Sequence, residues 1–166
     1  MSAGGTVVFT LRVRRARRDD WSAARELLRQ VDDLHAALAP SYFRSAPRGE
    51  EEWVRLLEED HAAVFAAEAG AAEGTVGVLV ARVYDTPDNP GMVPRRRLHI
   101  ETVVVCAKHR RQGVGRQLMT EGAAWGRSRG AVEVVLTTWV GNDEAEAFYE
   151  RLGYRVLSRV LCSPLT

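Results

Sequence analysis

Apolar and polar residues alternate from Val7 to Val13, with Phe9, Leu11 and Val13 on one side and Thr10, Arg12 and Arg14 on the other. That period of two predicts a half-buried strand. Asp19 and Asp20 then offer an N-cap. Behind them Trp21, Ala24, Leu27, Leu28, Val31, Leu34 and Leu38 recur at helical spacing, until Pro40 ends the helix. A loop over 41–49 carries Tyr42 and Phe43. Glu50, Glu51 and Glu52 place negative charge on the first turn of a second helix, where the helix dipole favours it, and Trp53, Leu56 and Leu57 form its apolar side.

Two strands are predicted at 62–69 and 75–84, joined by a hairpin turn at Gly70–Gly74. A long loop follows over 85–94, with three prolines. The next strand, 98–106, contains the β-branched run Val103-Val104-Val105, as expected of a strand buried on both faces. A helix over 113–129 turns Val114, Leu118, Met119 and Trp125 inward and stops at Gly130. A strand at 132–138, a short helix at 143–152 stopped by Gly153, and a last strand at 154–161 complete the order β-α-α-β-β-β-α-β-α-β. Strands that begin as hairpins and outnumber helices predict an α+β fold with a mixed sheet. With no internal repeat or linker, the expectation is one domain over 7–166 behind a short polar tail, 1–6.

Bulk properties narrow the classes. A chain of 166 residues, 46% hydrophobic and 27% charged, fits one soluble domain with one core. The net charge of +1 supplies no field to hold nucleic acid or an anionic membrane, although Arg95-Arg96-Arg97 is a local basic run. Lys108 is the only lysine; with the many alanines this fits the coding bias of a GC-rich bacterial genome. Cys106 and Cys162 lie far apart and form no metal-type cluster, so neither a disulfide framework nor a zinc site is implied. The N-terminus lacks the apolar core of a signal peptide and no apolar run is long enough to span a bilayer, so the expected compartment is the cytoplasm.

Candidate chemistry centres on the segment after the valine strand, Arg110-Arg111-Gln112-Gly113-Val114-Gly115. A strand that turns through glycines into a helix N-terminus leaves backbone N–H groups unpaired, and the helix dipole adds partial positive charge. Together they make an anion site for a phosphate. Gly113 and Gly115 have no side chain to block a pyrophosphate, and Arg110, Arg111 and Arg116 add charge-assisted donors. No Gly-Lys-Ser/Thr ends this loop, and it is not the G-x-G-x-x-G of dinucleotide folds. On residues alone, an ordinary strand-to-helix turn is the competing reading.

The spacing Arg110-x-x-Gly113-x-Gly115 resembles the Q/R-x-x-G-x-G/A signature of the GNAT superfamily of acetyl-CoA-dependent N-acetyltransferases. A second stretch, from Asn142 through Ala145 and Phe148-Tyr149 to Gly153-Tyr154, resembles that family's pattern of Asn, a small residue, an aromatic-Tyr pair and Gly-Phe/Tyr. Ala107 stands where family members often have proline. The resemblance implies a central, mostly antiparallel mixed sheet of six to seven strands with splayed central strands and four flanking helices. It also implies that the loop amides, Gln112 and Val114 among them, bind the pyrophosphate of acetyl-CoA. The strand before the loop would end in a bulge, and the exposed backbone of Val103, Val104 and Val105 would pair with the pantetheine arm. Asn142 would bond that arm, cap its helix, or both. Tyr149 would be the general acid that returns a proton to the departing thiolate, whereas on its residues alone it reads as a core aromatic. A backbone N–H near Val104 or Val105 would polarise the acetyl carbonyl.

A protonated amine cannot attack a thioester, so a proton acceptor is needed. His99 and Glu101 are two apart on the valine strand and share a face. The family often places a Glu or His base there, acting through water, which makes Glu101 the first choice and His99 the second. The competing reading pairs Glu101 with an arginine such as Arg97, or leaves both at a wet sheet edge. His35, His61 and His109 show no constellation, Cys106 is a buried strand cysteine, and Trp139 is either core or acceptor wall. No metal is implied. The partners expected are acetyl-CoA and an amine acceptor, chosen by the first two helices and the loops at 42–43 and 85–97. Many family members dimerise, and no stripe here identifies an interface. The rival classes are a non-catalytic acyl-CoA-binding module of the same fold and a nucleotide-binding protein.

Overall fold

The structure is a computed structural model, and it describes residues 10–165. The expected tail at 1–6 and the first residues of the expected first strand, Val7, Val8 and Phe9, lie outside the described residues, as does Thr166. Five strands form one sheet in sequence order: β1 (Leu11–Arg15), β2 (Ala62–Ala69), β3 (Thr75–Asp85), β4 (Arg96–Val105) and β5 (Glu133–Leu136). β1 to β4 pair antiparallel, and β5 joins β4 in parallel. The helices are α1 (Trp21–Leu38), α2 (Glu50–Glu58), α3 (Gly70–Glu73), α4 (Val114–Ser128) and α5 (Asp143–Arg151). α3 is a single turn inside the β2–β3 connection, where a plain hairpin turn was expected.

The sheet is buried on both faces, which explains the near-continuous apolar character of β2 and β3. On one face Phe65, Leu79, Leu98 and Ile100 pack under Val114, Leu118 and Met119 of α4. On the other, Val64, Val78, Val80 and Val104 pack under Ala24, Leu27 and Leu28 of α1 and Trp53 of α2. α5 leans on the first layer through Phe148, Tyr149 and Leu152.

Two expectations are corrected. The stretch 154–161 forms no strand, so the described sheet has five strands rather than six or seven. Its apolar residues come as adjacent pairs, Val156-Leu157 and Val160-Leu161, which cannot all turn to one face of a strand, and all four are exposed. Asp20 occupies the N-cap position of α1, but its side chain does not cap that helix. The carboxylate instead accepts bonds from Arg14 (2.8 Å to each oxygen), Thr75 Oγ1 (2.9 Å) and the Arg17 N–H (2.6 Å), tying β1 to the start of β3.

Candidate active site

β4 carries an irregularity that shapes the site. Thr102 lies opposite Val80 and Ile100 opposite Ala81, so Glu101 is an extra residue, a β-bulge in the middle of the strand. Beyond it the alternation reverses: Leu98 and Ile100 face α4 before the bulge, and Val103 and Val105 face that side after it. β5 pairs with β4 only along Arg97–Ile100 and ends at Leu136, so from Glu101 onward β4 has no described strand beside it on that side and the pairing leaves a gap.

The register decides which main-chain groups are open. Cys106 donates to the Val76 carbonyl at 2.8 Å, so Cys106 and, by antiparallel alternation, Val104 spend their N–H and C=O on β3. Val103 and Val105 turn theirs into the gap. The Val105 carbonyl there accepts a bond from Arg110 Nε at 3.2 Å.

The gap leads to the N-terminus of α4. A 3-10 turn at Ala107–His109 ends β4's path, and His109 is buried with Nε2 2.7 Å from Glu73. Arg111 and Gly113 then adopt left-handed backbone, with φ of 63° and 86°. Gly113 is the N-cap and no side chain caps the helix. The first bond of the helix runs from Gln117 N–H to Gly113 O at 3.0 Å. Among the described residues, the N–H groups from Arg111 to Arg116 therefore have no acceptor. A Cβ on Gly113 would meet nothing within 4 Å, so no side chain crowds the turn at Gly113. A Cβ on Gly115 would come 3.0 Å from Phe148 Cζ, so this glycine lets α5 close onto α4. Arg110, Arg111 and Arg116 are exposed around the mouth; Arg110 also lies 3.7 Å from Glu144, and Gln112 is pinned to the Lys108 carbonyl at 2.9 Å.

α5 carries Tyr149, and Asn142 stands at its N-cap. The Asn142 side-chain oxygen accepts from the Ala145 N–H at 3.4 Å and so caps α5. The Tyr149 ring lies against Phe148 (5.2 Å) and Tyr154 (5.8 Å). Burial, helped by neighbouring Tyr154, pushes its phenol up to about 12, so the proton is held throughout the neutral range.

On the face of the sheet covered by α1 and α2, the bulge sets Glu101 beside Arg82 of β3. Arg82 Nε donates to Glu101 Oε1 at 2.8 Å, and its Nη1 donates to Glu59 and lies 3.1 Å from His61 Nε2. The arginine partner of Glu101 is thus Arg82. Arg97 bonds Glu133 at 2.6 Å instead, and Arg96 pairs with Asp85, so the basic run at 95–97 is matched by carboxylates. His99 lies across from Arg82 in the ladder, its ring edge-on to Tyr84 at 6.4 Å. Arg82 and Glu59 were not singled out from the sequence. The signal was there: one arginine in the apolar run of β3, where an unpaired charge is costly.

Farther along this side, Trp139 meets Phe43 edge-on at 4.8 Å and Tyr42 at 5.3 Å, and Phe43 meets His35 at 5.1 Å. The segment between α1 and α2 is thereby joined to the segment after β5. A hollow of about 420 Å³ on α2, lined by Arg18, Glu50, Glu51, Val54, Arg55 and Glu58, shares no residue with the site. Among the described residues, no group of three or more His, Cys, Asp and Glu side chains could hold a metal ion, and no helix is long and apolar enough to cross a membrane.

A mixed sheet that parts beside an uncapped helix N-terminus, with an open strand edge leading to it, is a GNAT-type α+β architecture. Residues 23–154 match the model of the Acetyltransferase (GNAT) family, and the chain belongs to that family. It is 38% identical over 58 residues to N-alpha-acetyltransferase 30 of Schizosaccharomyces pombe, covering 35% of this chain and 39% of that protein. It is 28% identical over 97 residues to N-acetyltransferase family 8 member 3 of Rattus norvegicus, covering 54% of this chain and 42% of that one. The chain thus spans about two-fifths of the length of these relatives. A tetramutant of the BH1408 protein from Bacillus halodurans superposes with a TM-score of 0.85 at 23% identity, over 93% of this chain and 99% of its own. The aminoglycoside N-acetyltransferase AAC(6')-Iy in complex with CoA gives 0.69 at 22% identity, over 93% and 99%. At such identities the likeness is one of fold.

Proposed function

We propose that this chain is an N-acetyltransferase that moves an acetyl group from acetyl-CoA to a primary amine by direct attack in a ternary complex. The observation that carries the reading is the continuity of open main chain: the outward N–H and C=O of Val103 and the outward N–H of Val105, whose carbonyl holds Arg110, run along the strand gap to the unpaired amides before Gln117. An extended, amide-bearing arm ending in a diphosphate matches that sequence of donors and acceptors. Arg110, Arg111 and Arg116 add positive charge at the diphosphate end.

The chemistry falls to side chains on either side of the gap. Glu101 takes the proton lost from the acceptor nitrogen, through water, with His99 as the second choice. The freed lone pair attacks the acetyl carbon, and an outward N–H of Val103 or Val105 holds the carbonyl oxygen as its charge grows. When the carbon–sulfur bond breaks, the thiolate takes the Tyr149 proton; the adduct nitrogen gives its second proton to water, which restores the phenol, and Glu101 releases the first proton to solvent. An amine is the expected acceptor class; AAC(6')-Iy, named for aminoglycosides, is one fold neighbour whose acceptor fits it.

The test is thiol release from acetyl-CoA with kanamycin, spermidine, glycylglycine and benzylamine. Turnover is expected with at least one. Tyr149→Phe should lower kcat by about 10²-fold or more while leaving CoA affinity within about twofold. CoA binding with no turnover on any amine would mark a non-catalytic acyl-CoA-binding module. Equal loss of affinity and rate in Tyr149→Phe would make that tyrosine structural.

A further inference from the structure

We propose that Arg82 is a positioning residue that fixes the Glu101 carboxylate for proton transfer, and that Glu59, sharing the same guanidinium, keeps Glu101 from being fully neutralised. This rests on the reading of Glu101 as proton acceptor.

The bulge creates the need. A bulged residue is left without a ladder partner, so pairing does not hold its side chain. Glu101 is that residue on β4, and β5 does not reach it. Arg82 supplies the missing tether from the neighbouring strand, with Nε on Glu101 Oε1 at 2.8 Å. Its planar fork directs a second N–H to Glu59, at the end of α2, while His61 lies 3.1 Å from the same nitrogen. A guanidinium does this at fixed angles, which a lysine ammonium cannot.

The charge balance gives the second half. One guanidinium between two carboxylates leaves the group one negative charge in excess, so Arg82 does not balance Glu59 and Glu101 together. Other charges face it from every neighbouring element. Arg48, before α2, feels the Glu101 charge and is itself held by Asp32 of α1 at 2.7 Å and by Glu52 at 3.9 Å. His99 and Tyr84 close the strand side. With the partners of Arg48 included, four carboxylates, Asp32, Glu52, Glu59 and Glu101, stand against two arginines, Arg48 and Arg82, with His61 beside Arg82 and Glu59.

The test compares R82K, R82M, E59Q and E101Q. In protein labelled with ¹³C at the glutamate carboxyls, the resonance missing from E101Q belongs to Glu101, and its titration can be followed without turnover. Removing the positive charge in R82M should raise the Glu101 midpoint. Removing the competing negative charge in E59Q should lower it, and R82K should leave it nearly in place. The acid limb of kcat against pH, measured with the fastest of the four amines above, should move in the same order. R82K and R82M should also lose about tenfold or more in kcat, with KM for acetyl-CoA within about twofold. Midpoints that stay fixed, shift alike in R82M and E59Q, or leave kcat unchanged overturn the proposal. If R82M fails to fold, R82K and E59Q decide it. An E101Q variant with full turnover sinks the parent reading of Glu101. A dead E101Q beside a fully active R82K sinks only the role of Arg82.

Discussion

Two pairings of the sheet, a closed end at β2–β3 where every strand is flanked and an open end where β4 runs past β5, are built on opposite rules. Between β2 and β3 the strands pair from Ala62↔Arg82 to Glu68↔Thr75, and both faces are covered, so main-chain groups and apolar side chains are satisfied together. Between β4 and β5 pairing stops after four residue pairs. Past that point the strand edge is open, a helix begins without a cap, and the loop between them holds an arginine in left-handed backbone. Unpaired amides and strained dihedrals cost stability, and they persist where the surrounding structure can hold them. The closed end supplies that support, and the open end presents the groups a ligand would use. The comparison makes a sharp demand: substitutions at the closed end should change stability and leave CoA affinity alone, and those at the open end should change CoA affinity independently of what they do to stability.

The largest effect should come from Asp20. Its nearly buried carboxylate is shared among Arg14, Thr75 and the Arg17 N–H. Asp20→Ala leaves Arg14 with Glu68 as its one remaining carboxylate, beside the Arg15 carbonyl, and breaking such a partly buried pair should cost about 3 kcal/mol or more in urea unfolding. The folded fraction should bind CoA with unchanged affinity; a parallel loss of affinity would break the division between the two ends. The same group predicts a pH dependence. Burial alone would push the Asp20 carboxyl up, but the bonds from Arg14, Arg17 and Thr75 outweigh it and hold the group below its ordinary value. A depressed folded value means that its contribution is present above the unfolded value of about 4 and is lost as pH falls through the folded one. The stability gap between the wild type and Asp20→Asn should therefore close progressively in acid.

Gly113 is the complementary case. With φ at 86° a β-branched residue is strained there, yet a Cβ would touch nothing. Gly113→Val should cost about 1–2 kcal/mol of stability and raise the CoA dissociation constant by about tenfold or more in calorimetry. An unchanged dissociation constant would mean that the diphosphate does not sit before α4.

The same division explains what the sequence revealed. The closed end was legible because burial on both faces writes continuous apolar runs, as in β3, and the α4 stripe of Val114, Leu118 and Met119 repeats at helical spacing. The glycine loop was legible because left-handed backbone and close approach select glycine at 113 and 115. The bulge at Glu101 was not placed, because an extra residue leaves no mark until the partner's register is known. Its consequence, that Val103 and Val105 rather than Val104 carry the outward groups, was hidden with it. Arg82 did leave a mark, as the one arginine in an apolar run, but its pairing with Glu101 depends on which residues stand opposite. The stretch after Tyr154 misled because β-branched composition without a consistent period fixes no face.

The smallest effect is the most diagnostic. Arg111 is the one non-glycine residue with positive φ among the described residues, at 63°. Holding an L-residue in that region costs about 1–2 kcal/mol. Arg111→Gly removes the strain but returns about 0.5–1 kcal/mol of backbone freedom to the unfolded chain. The net result should be a gain of about 0.5 kcal/mol, read as a small rise in Tm. The same change removes a cation from the mouth of the anion site, so CoA should bind a few-fold more weakly, and less so as salt is added. Opposite signs in stability and affinity from one exposed side chain are what the division between the two ends requires. If Arg111→Gly lowered Tm and left CoA binding untouched, the arginine would be bracing the loop, and the strain there would have no connection to the ligand.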